Sequence, residues 1–351
     1  MKVMFGRKGN YPYAVARVRG KKRMLLKGED YSKMMVMELP EISRFLGETN
    51  YQKEMAELGG RFEGVDLIEH ATYRNMARNF RSVLDFTNGE LHDMLAAYLT
   101  RWDHWNVKVI LRGKSFGADM ESIREDLVPA GNLSEEYLNS LCSMEMGDEL
   151  FAELSRKLNA PLPPSAVEAY KQFGKLTSIE DYLDKLYYER LLDAIGTNTK
   201  PKRLFRAFIQ REIDIINLET ILMLKEEKAP PEVILNYFIE GGLQIDRKMA
   251  TNLANAEDRK ALAAELVKLD FYEEIKEALE SEEKPLRNVM DALRLYQIRK
   301  TETLSYLYPL SVIPVFDYMF HKKLEVDNIR IIARGKVSGL DTDTLKGLLV
   351  I

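Results

Sequence analysis

The sequence predicts an all-α protein made of three related helical modules, and three observations carry that prediction. The first is a repeated pattern, an acidic residue followed three positions later by an asparagine: Asp103 and Asn106, Asp214 and Asn217, Glu325 and Asn328. The asparagines are 111 residues apart both times, close to a third of the 351-residue chain, a spacing that reads as repeated units. The same positions around each are apolar: Met94, Phe205, Phe316; Tyr98, Ile209, Phe320; Trp102, Ile213, Leu324; Val107, Leu218, Ile329; and Ile110, Ile221, Ile332. A lysine closes each copy, at Lys114, Lys225 and Lys336. The second observation is helical periodicity, and the third is the lack of alternating strand patterns of useful length.

Shifting the last residue back by the period places the modules at 1–129, 130–240 and 241–351, arranged about an approximate threefold axis with a depression where they meet. Gly131 and Gly242, just past the two cuts, read as helix stops.

In chain order, Met1 to Asn10 lacks the apolar core of a signal peptide. The basic cluster Arg17, Arg19, Lys21, Lys22, Arg23 and Lys27 reads as a solvated helix face. The Asn106 helix is expected to stop before Gly113, and the Asn328 helix before Gly335. Ser134, Ser178 and Asp341 are expected N-caps. Pro161, Pro163 and Pro164 precede a helix at Ala166–Phe173, and Pro230 and Pro231 precede one at Val233–Ile239. Between them, Pro201–Glu226 has Phe205, Phe208, Ile209, Ile213, Ile216, Thr220, Ile221 and Leu224 at spacings of three and four, one buried face of a helix. Such a helix runs about 37 Å, enough to cross a module. Thr303–Phe316, uncharged and broken by Pro309 and Pro314, reads as an apolar turn between helices, packed in the core or offered as a contact surface.

Composition excludes some functions. With 51 basic against 55 acidic residues and a net charge of −4, broad nucleic-acid binding lacks the concentrated basic face it needs. No segment reaches the 18 or so apolar residues of a membrane span. The single cysteine, Cys142, lies on an apolar helix face and reads as a buried structural thiol in a reducing compartment. Acid pairs such as Glu226–Glu227 and Glu282–Glu283 read as solvated helix charges.

Chemistry is sparse. Gly113-Lys114-Ser115 resembles the end of a phosphate-binding loop, but Lys108 stands where that loop needs glycine, and a helix precedes it. Arg112, Lys114, Arg334 and Lys336 read instead as cations closing helix ends. His70, His92, His104 and His321 lack metal-ligand spacing, and no nucleophile, acid–base pair or cofactor turn is evident, so no catalytic residue, metal or cofactor is assigned. The recurring asparagine suggests a side chain that ties its helix to a neighbour, or one that lines a shared binding cavity. On the second reading the candidate partner-binding residues are Asn106, Arg112, Lys114, Asn217, Lys225, Asn328, Arg334 and Lys336.

Three blocks, Tyr11 to Arg19, Asn106 to Lys114, and Val326 to Lys336 with Gly339-Leu340, resemble the C subunit of the archaeal-type (A-type) ATP synthase, the counterpart of the d subunit of the vacuolar ATPase. The resemblance covers the full length. It implies a funnel-shaped, noncatalytic rotor part, peripheral on the cytoplasmic side of the membrane, without cofactor, small-molecule substrate or nucleic acid. Its partners would be the D and F subunits of the central stalk and the membrane rotor ring of K (or c) subunits. Its role would be to pass rotation between them for ATP synthesis coupled to proton or sodium transport. The competing reading is a freestanding helical-repeat scaffold for some other protein.

Overall fold

A computed structural model describes residues 8–281 and 286–350. Most of Met1 to Asn10 and the pair Glu282–Glu283 lie outside them. Among the described residues there are nineteen α-helices and no strand, as the periodicity predicts.

The chain opens with α1 (Tyr11–Lys22), α2 (Gly28–Val36), α3 (Leu39–Gly47), α4 (Gln52–Leu58) and α5 (Gly64–Asp85). A run of six follows: α6 (Gly89–Ser115), α7 (Met120–Glu125), α8 (Glu135–Ser143), α9 (Asp148–Leu158), α10 (Pro164–Phe173) and α11 (Thr177–Ile195). The next six again place four short helices between two long ones: α12 (Lys200–Glu226), α13 (Pro231–Asn236), α14 (Arg247–Asn255), α15 (Arg259–Leu266), α16 (Tyr272–Glu280) and α17 (Arg287–Leu307). Last come α18 (Ile313–Val337) and α19 (Thr342–Leu348). Helices α7, α13 and α19 begin 111 residues apart, and each directly follows a helix that bears one of the three asparagines.

Two compact units result, one of residues up to Tyr187 with Tyr318–Leu349, the other of Tyr188–Asp317. In the second unit a hydrophobic cluster grows from Leu218 and Ile221 of α12 and extends to Tyr296 of α17. Two further clusters lie in the first unit among the described residues. One grows from Val107 and Ile110 of α6 and extends to Leu183 of α11. The other joins Ile329, Ile332 and Leu345 to Tyr31, Met34, Ile42 and Ile68, so α18 and α19 pack against α2 to α5 from the chain's beginning. Each large apolar side chain buried this way contributes about 1.5–3 kcal/mol. Positions 129 and 240 fall inside two of these clusters, between Ile123 and Leu138 and between Phe238 and Ile245.

Several local expectations hold. Ser134 and Asp341 accept hydrogen bonds from backbone N–H groups as N-caps, and the Pro201 helix starts one residue earlier, capped by Thr199. Others are corrected. Ser178 lies inside α11, because the N–H groups of Ile179 and Glu180 already bond to the Leu176 carbonyl. Gly113 and Gly335 lie within α6 and α18: a Cβ at Gly113 would come 2.5 Å from Ile123, and one at Gly335 2.2 Å from Leu345. These glycines let the next short helix cross closely. Gly131 and Gly242 stop no helix, being separated from α7 and α13 by loop. A Cβ on Gly131 would lie 2.0 Å from an Asp103 oxygen, and one on Gly242 2.2 Å from an Asp214 oxygen.

Candidate functional site

The repeated pattern marks three side chains on one helix, each tied to a different part of the loop and helix that follow. In α6, Asn106 is fully buried and exchanges two hydrogen bonds with one residue: its Nδ2 donates to the Val128 carbonyl at 2.9 Å, and Val128 N–H donates to its Oδ1 at 2.8 Å. In α12, Asn217 does the same with Ile239, both at 2.8 Å. A primary amide pairs with the backbone of one residue in this way because each offers one donor and one acceptor on the same side, the residue's own N–H and C=O.

One helical turn earlier, Asp103 accepts from the N–H groups of Asn132 and Leu133, both at 2.9 Å, just ahead of α8. Asp214 accepts from Leu243, Gln244 and Ile245, at 2.9–3.1 Å, just ahead of α14. Burial nevertheless outweighs these bonds and raises both carboxyls, Asp214 to about 6. Two turns later, Lys114 donates to the Cys142 carbonyl at 2.7 Å and to the Met144 carbonyl, the end of α8. Lys225 donates to the Ala254 and Ala256 carbonyls at 3.0 and 2.6 Å, the end of α14. The cation therefore closes a neighbouring helix and not its own, where exposed carbonyls and the negative dipole end favour it. Cys142 is a buried free thiol on that closed helix.

The third copy is varied. Glu325 Oε2 accepts from Leu26 N–H at 2.5 Å, just ahead of α2, the place that Asp103 and Asp214 occupy ahead of α8 and α14. The longer glutamate also takes Tyr51 Oη at 2.5 Å and Lys322 Nζ at 2.6 Å through Oε1, and Lys322 itself donates to Tyr51 Oη at 2.9 Å. All three are buried. Burial pushes the Lys322 ammonium down against the pull of Glu325, and pushes the Tyr51 hydroxyl well up. Asn328 is buried and hydrogen-bonded with Tyr31. Lys336 is half-buried.

The two arginines behave alike. Arg112 forms a two-pronged pair with Glu180 at 2.5 and 2.7 Å, and Arg334 forms one with Glu69. Burial alone would raise Glu69, but the Arg334 hydrogen bond and the charges of Arg330 and Arg334 hold its carboxyl below the ordinary value. Each arginine ties a repeated helix to a long one, α11 or α5. Both keep much of their side chain in solvent, at 51% and 62%. Of the eight candidates, then, the asparagines lie inside, the lysines are half-buried against the structure, and the arginines face out. Exposed apolar side chains stand near the ends of these helices: Phe116 (87%) after α6, Val337 (60%) on α18, and Tyr306 (85%), Leu307 and Leu310 around the end of α17. The Thr303–Phe316 segment thus splits, since Val312, Ile313, Val315 and Phe316 are buried. Sequence reasoning missed the Tyr51–Lys322–Glu325 cluster, because its members come from distant segments and only the acidic member belongs to the repeat.

With this geometry in hand, the relatives decide the family. Residues 14–348 match the family described as ATP synthase (C/AC39) subunit. The chain belongs to that family. It is 36% identical over 344 residues to the C subunit of the A-type ATP synthase of Haloferax volcanii, covering 97% of this chain and 98% of the relative. It is 36% identical over 349 residues to that of Methanococcoides burtonii (99% and 96%) and 35% identical over 346 residues to that of Methanosarcina mazei (97% and 93%). No described helix of this C/AC39 family member is long and apolar enough to cross a membrane.

Proposed function

We propose that this chain is a noncatalytic part of an A/V-type rotary ATP synthase, held at the cytoplasmic side of the membrane between the ion-translocating ring of K subunits and the central stalk of D and F subunits. Ion flow turns the ring, and this protein passes the rotation to the stalk and so to ATP synthesis. The observation that carries the proposal is likeness over nearly the whole length to relatives named as the C subunit of A-type ATP synthases. The internal chemistry suits the role. A part that transmits torque must resist shear, and close-packed helices cross-tied by buried two-way hydrogen bonds do so.

We further propose that the chain is three modules, each centred on one asparagine-bearing helix. On this reading the solvent-facing Arg112 and Arg334, with Phe116 and Val337 beside them, are the residues to meet the stalk. The exposed Tyr306, Leu307 and Leu310 are the apolar surface for the ring. Co-purification with a D–F pair tests the proposal: a stoichiometric complex supports it, and it is weakened by at least tenfold when Arg112 and Arg334 are both changed to Glu. Failure of the unaltered chain to bind the pair contradicts it.

A further inference from the structure

A recess of about 340 Å³ opens in the first unit among α1, α5 and α18. Its polar lining is Lys21 from α1, Asn50 from the loop ahead of α4, Arg78, Asn79 and Ser82 from α5, and Tyr318 and Lys322 from α18. Three cations thus converge on one small volume, and among the described residues no carboxylate lines it. Two of them have counter-ions outside the lining: Arg78 Nε lies 2.7 Å from Glu54, and Lys322 Nζ 2.6 Å from Glu325. Lys21 has none among the described residues. Its Nζ donates to Asn79 Oδ1 at 3.0 Å, an oxygen that also accepts from Tyr318 Oη at 3.1 Å.

We propose that this recess binds a phosphate-bearing anion, with Lys21 as the principal charge and Arg78 and Ser82 completing the donor set. Like charges gathered in a partly buried site repel one another, and an anion converts that repulsion into charge-assisted hydrogen bonds. The Lys21 ammonium already registers this field: burial, then the charges of Arg17, Arg78 and Lys322, holds it below the ordinary lysine value. The volume lies at the small end of ligand sites, about 300–1,000 Å³, which suits a compact anion such as pyrophosphate or a phosphate headgroup.

Titration calorimetry with inorganic pyrophosphate, at ionic strength held constant with sodium chloride, tests the soluble form of the ligand. Sedimentation with phosphatidylcholine vesicles, with and without phosphatidic acid, tests the lipid form. Binding is expected in at least one arm, weakened at least tenfold by Lys21→Gln, weakened less by Lys21→Arg and abolished by Ser82→Glu, with the circular dichroism of all three variants unchanged. Absence of binding in both arms, or binding that Lys21→Gln leaves intact, overturns the proposal.

Discussion

Asn106 and Val128 exchange a pair of hydrogen bonds between one carboxamide and the N–H and C=O of one residue, and 111 residues later Asn217 and Ile239 do the same. Truncating either asparagine removes two bonds and strips a buried backbone N–H of its partner, although the Val128 carbonyl keeps the Ala130 N–H at 2.7 Å. Asn106→Ala and Asn217→Ala are each expected to cost roughly 2–4 kcal/mol. Urea unfolding followed by circular dichroism measures this, and a loss below about 0.5 kcal/mol would show that the tie is dispensable.

The loop glycines make the opposite kind of demand, for space. Gly131→Ala and Gly242→Ala drive a methyl into the Asp103 and Asp214 carboxylates and are expected to destabilise by about 1–3 kcal/mol each. Gly20→Ala, in α1 with nothing within 4 Å of the added carbon, should stabilise by up to about 1 kcal/mol. Thermal unfolding of the three variants checks the sign as well as the size.

Asp214 gives a pH signature. Its carboxyl rises from 3.8 to about 6 on folding, so the folded chain holds a proton there that the unfolded chain has lost. Its contribution is therefore greatest below pH 3.8, declines as pH rises to about 6 and is constant above. The loss amounts to roughly 3 kcal/mol. Asp214→Asn cannot titrate, so the stability of the unaltered chain relative to this variant should fall between pH 4 and 6.5. A difference flat in pH would refute the assignment.

In the third copy the ion pair carries the tie. Lys322→Met leaves Glu325 buried beside Tyr51 without its cation, an expected loss of about 3–5 kcal/mol. The double variant Lys322→Met with Glu325→Gln should lose less than the sum of the two single changes. Additive losses in a double-mutant cycle would mean that the pair is not coupled.

Much of the fold is legible in the sequence. Spacings of three and four mark the helices, and the 111-residue period marks the side chains that share one structural position. The phase of the clusters is not legible, because cuts at 129 and 240 are measured from the last residue, whereas packing is set by contact: Ile329 and Ile332 find their partners at Tyr31 to Ala71. Gly113, Gly131, Gly242 and Gly335 mislead for a related reason. A glycine at a helix stop and one that admits a neighbour look identical in sequence, and only the distance to Ile123 or Asp103 separates them. The candidate site is half legible. The repeated asparagines and lysines stand out, but which of them turn inward depends on segments 22 to 31 residues further on.

Rotation itself is the most direct test. A fluorescent probe on Glu257→Cys, an exposed position, can be followed in the assembled complex fixed by its catalytic head, with the buried Cys142 left unlabelled. On ATP addition the probe should turn at the rate of the central stalk. A probe that stays still while the stalk turns would contradict the rotor assignment.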